Sequence, residues 1–175
     1  MTTWSSSAPD FLALDDARTT GRLLDRTVDD GSAPGLEVSV EDATFGWDRS
    51  TGERLWRANV TAPPFDGAGV LIIDEVVYLS ANDAVVALDA GTGETLWTAD
   101  RQQGAYDGEL LTDGAHVILV EAPVDGNGTS FLTVLDRRDG TFVQRLALPD
   151  TVAFPASSGR HLIGVDRLGT VVGLS

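Results

Sequence analysis

The stretch Val85-Val86-Ala87-Leu88-Asp89-Ala90-Gly91-Thr92-Gly93-Glu94-Thr95-Leu96-Trp97 reads as strand, tight turn and strand, and altered copies of it recur on both sides. Val85 to Leu88 is apolar and β-prone. Asp89 to Gly93 supplies turn residues, with two glycines free to take positive φ, and Thr95 to Trp97 resumes an extended pattern. Aligned on Leu88-Asp89, the counterparts are Leu14-Asp15, Trp47-Asp48, Leu135-Asp136 and Leu174-Ser175, at spacings of 33, 41, 47 and 39 residues. No copy carries a sustained helical period, so helical solenoids are excluded and the repeating unit is a small sheet.

Several short strands per repeat at this period point to an all-β propeller of about four blades, each an antiparallel four-stranded sheet. The repeats run approximately over 1–28, 29–60, 67–100, 107–148 and 152–175. In the first, Phe11 to Asp15 and Thr20 to Leu24 keep the hairpin. In the second, Leu36 to Val40 alternates, Thr44 to Trp47 pairs with it, and Arg54 to Trp56 follows the turn Asp48 to Gly52. The short spacing before this copy leaves it either without an inner strand or with a borrowed one. The third is the most complete, with strands predicted at Val70 to Ile73, Val76 to Ser80, Val85 to Leu88 and Thr95 to Thr98. The fourth places them at Glu109 to Leu111, His116 to Val120, Phe131 to Leu135 and Phe142 to Leu148. The fifth opens at Val152-Ala153-Phe154-Pro155, continues through His161 to Val165 and ends with Thr170 to Leu174. Two closures remain open. Either Arg22 to Asp25 completes the final sheet and shuts a small ring, or the chain is an arc of a larger, roughly seven- or eight-bladed propeller. The irregular first and second copies favour the arc, whose bare strand edges and blade faces favour self-association.

The residues Asp48, Thr51, Gly52 and Trp56, and again Asp89, Thr92, Gly93 and Trp97, resemble the Ala-x-Asp-x-x-Thr-Gly-x-x-x-Trp repeat of the pyrroloquinoline-quinone-type (PQQ-like) β-propeller superfamily. Asp136 and Gly140 keep part of the pattern in the fourth copy. The resemblance implies that Asp and Thr-Gly set the turn between the third and fourth strands of a blade, while Trp docks on the neighbouring blade. That division of labour is physically reasonable, because Asp and Thr accept backbone N–H bonds, Gly takes the left-handed position, and an indole fills a gap between sheets. Asp139 stands where Thr is expected, Gln144 where Trp is expected, and Leu24 or Asp25 at the Trp place of the first copy, so those joints are expected to be weaker.

The motif braces enzymes and non-enzymes alike and so speaks for fold. Among the superfamily's members, the resemblance points to the non-enzymatic kind: scaffolds of outer-membrane barrel assembly and sensor propellers attached to bacterial membrane proteins. A quinone-dependent oxidoreductase fragment is the alternative. Such an enzyme needs an ion holding the quinone, a catalytic carboxylate, stacking aromatics and usually a vicinal cysteine pair. The chain has no cysteine, no acidic residue stands out from the turn aspartates, and its four tryptophans fall mostly on repeat positions.

Composition narrows the partners. The net charge is −15, from 27 acidic and 12 basic residues, every basic one an arginine. Such a surface repels nucleic acid and anionic lipid, so neither is expected as a main partner. No apolar run reaches the ~18 residues needed to cross a bilayer, and no signal segment opens the chain. No direct membrane insertion is expected. The compartment stays open, although the resembled superfamily is often extracytoplasmic or membrane-anchored.

Other chemistry-bearing residues read as structural. Asp125-Gly126-Asn127-Gly128-Thr129 spaces oxygen donors as short calcium loops do, yet Ser130 stands where such a loop needs glycine, and a hairpin tip is the expected form. Asn127-Gly128-Thr129 also fits a glycosylation sequon. His116 and His161 occupy the same point of successive repeats, where each is expected to bond a loop carbonyl at the start of its strand. Ser130, Ser157 and Ser158 have no nucleophile context. No catalytic, cofactor-binding or metal-ligating residue is assigned and no cofactor is expected. The expected function is a non-catalytic scaffold or binding module that presents its surface to a protein or extracellular ligand, with a protein partner or a larger parent propeller as its context.

Overall fold

Three consecutive strands, Val70–Ile73, Val76–Ser80 and Ala84–Asp89, carry apolar side chains on both faces of their sheet, and this dictates how the sheets stack. The computed structural model describes residues 22–23, 27–40, 42–61, 69–81, 83–101, 105–123, 128–149, 152, 154–158, 161–165 and 171–174. Over these it has sixteen strands and no helix. They are β1 Arg22–Leu23, β2 Thr27–Asp29, β3 Leu36–Val40, β4 Thr44–Asp48, β5 Arg54–Ala58, β6 Val70–Ile73, β7 Val76–Ser80 and β8 Ala84–Asp89. The second half adds β9 Thr95–Asp100, β10 Ala105–Thr112, β11 His116–Pro123, β12 Phe131–Asp136, β13 Phe142–Ala147, β14 Phe154–Ser158, β15 His161–Val165 and β16 Val171–Leu174. Among the described residues no helix is long and apolar enough to cross a membrane.

Four sheets form, with strand orders β1-β3-β4-β5, β2-β6-β7-β8-β9, β10-β11-β12-β13 and β14-β15-β16. Every pairing is antiparallel except β2 with β6. Val70 and Ile72 point to one face of the second sheet, where Val77, Leu79, Val86 and Leu88 join Leu36, Val38, Trp56 and Ala58 of the first sheet in one core. Leu71 and Ile73 point to the other face, and there Tyr78, Val85, Ala87 and Trp97 meet Leu110, Val117, Leu119 and Leu135 of the third sheet. A third core gathers Leu111, Ile118, Leu132, Val134 and Leu148 on the far face of the third sheet. A sheet covered on both faces needs uninterrupted apolar strands, which is why Val70-Leu71-Ile72-Ile73 does not alternate. Trp56 and Trp97 lie in different cores. The sheets therefore follow one another as blades do, and no two-layer sandwich is formed.

The order of pairing corrects the sequence reading at several points. Arg22 and Leu23 do not close a ring with the last sheet. They pair with Val40 and Ser39, so the second repeat borrows its inner strand from just upstream. This pairing closes a short loop, whereas reaching the last sheet would close a much longer one at greater entropic cost. Residues 24–25, and the first repeat's hairpin at 11–15, lie outside the described residues. Thr27–Asp29 then crosses to lie parallel to Val70–Ile72, making the second sheet five-stranded instead of four-stranded. The fourth repeat's first strand starts four residues earlier than expected, at Ala105, with a bulge between Tyr106 and Glu109. The fifth repeat's first strand runs Phe154–Ser158 instead of 152–155. Pro155 is accommodated because β14 is an edge strand of its sheet.

Candidate functional site

Three turns repeat one geometry. In each, the glycine amide donates to the carbonyl of the aspartate four residues earlier: Gly52 to Asp48 at 2.7 Å, Gly93 to Asp89 at 2.8 Å, and Gly140 to Asp136 at 2.9 Å. The aspartate amide in turn donates to the residue after the glycine, at 2.8 Å for Asp48 to Glu53, 2.9 Å for Asp89 to Glu94 and 2.8 Å for Asp136 to Thr141. The glycines adopt φ of 67°, 73° and 72°, the left-handed region where a Cβ is disfavoured. Asp48 Oδ1 accepts from the Ser50 and Thr51 amides at 2.8 and 2.9 Å. Asp89 Oδ1 accepts from the Gly91 and Thr92 amides at 3.1 and 2.8 Å and from the Thr92 hydroxyl at 2.9 Å. Thr51 and Thr92 Oγ1 each accept from the following glutamate amide at 3.2 Å. At the third turn Asp139 Oδ1 takes over that acceptor role, from the Thr141 amide at 2.9 Å. The exchange of Thr for Asp thus keeps the turn.

Two tryptophans, Trp56 and Trp97, each close onto the next sheet's turn, whereas Trp47 Nε1 donates to Ser39 Oγ at 2.8 Å within its own sheet. Trp56 Nε1 donates to Ala90 O at 2.8 Å, and its ring covers Gly93, where an added Cβ would come 2.7 Å from Cδ2. Trp97 Nε1 donates to Arg137 O at 3.1 Å, and its ring covers Gly140, where an added Cβ would come 2.6 Å from Cε3. The glycine thus serves twice, in its positive φ and as a seat for the indole. Tyr78 reinforces the second joint by donating its hydroxyl to Arg137 O at 3.3 Å, and burial pushes its pKa up to about 12. Gln144 holds the equivalent register opposite Val134 but is exposed, so the third sheet offers no comparable indole.

Hydrogen bonds from the Ser50 hydroxyl, foremost, and from the Thr51 and Ser50 amides hold the Asp48 carboxyl below its ordinary 3.8. A carboxyl depressed in the folded state contributes stability above its unfolded pKa and loses it as pH falls through the folded value. The urea midpoint of the wild type is therefore expected to exceed that of Asp48→Asn at about pH 6. The gap closes as pH falls through and below about 4. A gap independent of pH would contradict the assignment.

Sequence reasoning placed the turns and the tryptophans but missed the residue beside each tryptophan. Leu55 and Leu96 are each 53% exposed, and Val143 occupies the same register on the third sheet at 47%. Phe142 at 57% and Leu146 at 41% are also exposed on β13, on opposite faces of its sheet, since Phe142 pairs with Leu135 and Leu146 with Leu132. β5, β9 and β13 each end their sheet, so these side chains lie along edge strands. The signal that could have found them is the alternation around Trp: if Trp faces the next sheet, its predecessor faces away.

The remaining candidates behave as follows. Among the described residues His116 bonds no loop carbonyl. Its Nδ1 lies 2.9 Å from Asp113 Oδ2, and its amide donates to Asp113 Oδ1 at 2.8 Å, so a carboxylate three residues earlier caps the strand. Burial raises the Asp113 pKa, but the bonds from His116 and the Ala115 and His116 amides outweigh it and leave the carboxyl lowered. His161 starts β15, and nothing is described of its side chain. Of the calcium-like loop, residues 124–127 lie outside the described residues. Among those described, no group of three His, Cys, Asp or Glu side chains converges to hold a metal ion. This chemistry suits holding sheets together and presenting an apolar edge.

A family model described as outer membrane protein assembly factor BamB matches residues 4–166. No curated protein sequence matches the chain. Among solved structures it is similar to BamB from Moraxella catarrhalis, at 20% identity and a TM-score of 0.57 over 88% of this chain and 49% of that one. It is similar to quinohemoprotein alcohol dehydrogenase from Comamonas testosteroni, at 21% identity and a TM-score of 0.52 over 65% of this chain and 19% of that one. The WD40 domain of SCAP from fission yeast aligns at 12% identity and a TM-score of 0.54, over 89% of this chain and 43% of that one. The chain spans about half the length of the Moraxella protein. At such identities the likeness speaks for the propeller fold alone.

Proposed function

This chain belongs to the outer membrane protein assembly factor BamB family, and from that premise we propose that it is a non-catalytic scaffold whose outer strands hold a partner protein. The observation that carries the reading is the exposed set Leu55, Leu96 and Val143, each the residue before the motif's tryptophan position, on strands that end their sheets. An edge strand with free backbone groups and protruding apolar side chains is suited to receive an extended segment of another chain. The acidic exterior, with a net charge of −15, favours a partner with basic residues around its apolar contact. The family description supports a place for this scaffold in the assembly of outer-membrane proteins.

A photo-crosslinking side chain placed at position 142, and separately at 96, in cells of the native host tests the reading. The expected result is a discrete protein adduct from at least one position, with a yield that falls about tenfold on adding Val143→Asp. No adduct from either position contradicts it. Incubation with calcium and pyrroloquinoline quinone, followed by desalting, is expected to leave no chromophore on the protein and no dye-linked alcohol oxidation. Retained quinone with turnover overturns the scaffold reading in favour of an oxidoreductase.

A further inference from the structure

The hairpin turn between β6 and β7 takes its two central residues, Asp74 and Glu75, into the left-handed region at φ 50° and 62°. A two-residue turn of this hand favours Asn-Gly, and residues that carry a Cβ stay there only where their surroundings hold them. Here the loop that follows β2 does so. β2 lies along β6, the Asp30 amide extends that ladder by donating to Ile72 O at 3.1 Å, and the loop then caps the turn. Asp30 Oδ2 accepts from the Asp74 amide at 3.0 Å, and Ser32 Oγ accepts from the Glu75 amide at 2.8 Å.

The same two residues reach both indole joints, which lie on opposite faces of the second sheet. Glu75 O accepts from the Ala90 amide at 2.9 Å, and Ala90 O is the acceptor of Trp56 Nε1. Asp74 Oδ2 lies 2.6 Å from Arg137 Nη2, and Arg137 O is the acceptor of Trp97 Nε1. Each joint is thus reached through a single intervening residue. We infer that the turn is a latch shared by the two joints: the loop at Asp30 and Ser32 holds it left-handed, and its release loosens the seats of Trp56 and Trp97 together. Such a turn is a two-state element that both joints bias, which is what physical coupling between separate contacts requires. The Arg137 arm is the looser one, since Asp74 is 69% exposed and an ion pair so open to water is weak. Leu55 and Leu96 adjoin the two indoles in sequence, so on the scaffold reading the latch also fixes where these exposed residues stand. The coupling itself does not depend on that reading.

Hydrogen exchange of the indole N–H groups, followed by nuclear magnetic resonance on the full 175-residue chain, tests the latch, because local opening is read bond by bond. Asp30→Ala removes one hold on the turn and no donor or acceptor of either indole. The expected result is exchange faster by about fivefold at Trp56, the equilibrium worth of one hydrogen bond, and faster by a smaller factor at Trp97. The amide of Ile118, in the third core, is expected to keep its rate. Glu75→Gly leaves the carbonyl that Ala90 uses and removes the left-handed cost, so in the Asp30→Ala background it is expected to restore slow exchange at both rings. Unchanged exchange at either ring overturns the inference, as does a rise at Ile118 equal to that at the rings, which is general loosening of the fold. Absence of rescue by Glu75→Gly overturns it too. Ser32→Ala removes only the hold on Glu75 and carries the same measurement if the Asp30 variant does not fold.

Discussion

Trp56→Ala is expected to lower the unfolding free energy by about 3–5 kcal/mol, the range found when a large buried aromatic is truncated. The indole is 6% exposed and belongs to the core shared by the first two sheets. Its removal opens a cavity over Gly93 and strips Ala90 O of the Nε1 donor held at 2.8 Å. Trp97→Ala is expected to cost less, because Arg137 O keeps the Tyr78 hydroxyl at 3.3 Å as a second donor. Equilibrium urea unfolding of the two variants beside the wild type reads both numbers. A loss below about 1 kcal/mol at Trp56, the ordinary effect of a surface substitution, would mean that the indole braces nothing.

Gly140→Ala carries the second large effect, about 2–4 kcal/mol. Roughly 1–2 of this comes from forcing a Cβ into the left-handed region at φ 72°, and the rest from the clash with Trp97, whose Cε3 would lie 2.6 Å from the new carbon. The two causes separate in a double-mutant cycle. In a Trp97→Ala background the steric part vanishes and about 1–2 kcal/mol of backbone strain remains. Full additivity of the two substitutions would show that position 140 does not seat the ring.

What could be read in the chain beforehand was whatever a repeat makes local. Leu36–Val40, Val70–Ile73 and Val76–Ser80 begin and end where the apolar pattern predicts, since each pairs with its neighbour through a short turn. β2 could not be read, because Thr27-Val28-Asp29 is too short to carry a pattern and is held by parallel pairing to a strand more than forty residues away. The early start of β10 was hidden for another reason: Asp107-Gly108 interrupts its pattern where the ladder bulges. At the site, the turn and indole positions were legible because four residue types recur at fixed offsets. The exposed row beside the indoles needed only the facing of one strand. By contrast, the cluster of buried Glu121 with Thr133 and Arg145 arises from the register of three neighbouring strands of the third sheet. No local pattern announces it.

The most direct test is a set of nuclear Overhauser contacts from the Trp56 and Trp97 rings in the folded chain. The serial stack predicts contacts from Trp56 to the α-protons of Gly46 and Gly93, contacts from Trp97 to those of Gly140, and none between the rings. Contacts joining Trp56 to Trp97 would place both rings in one shared core and contradict the blade-on-blade arrangement from which the rest follows.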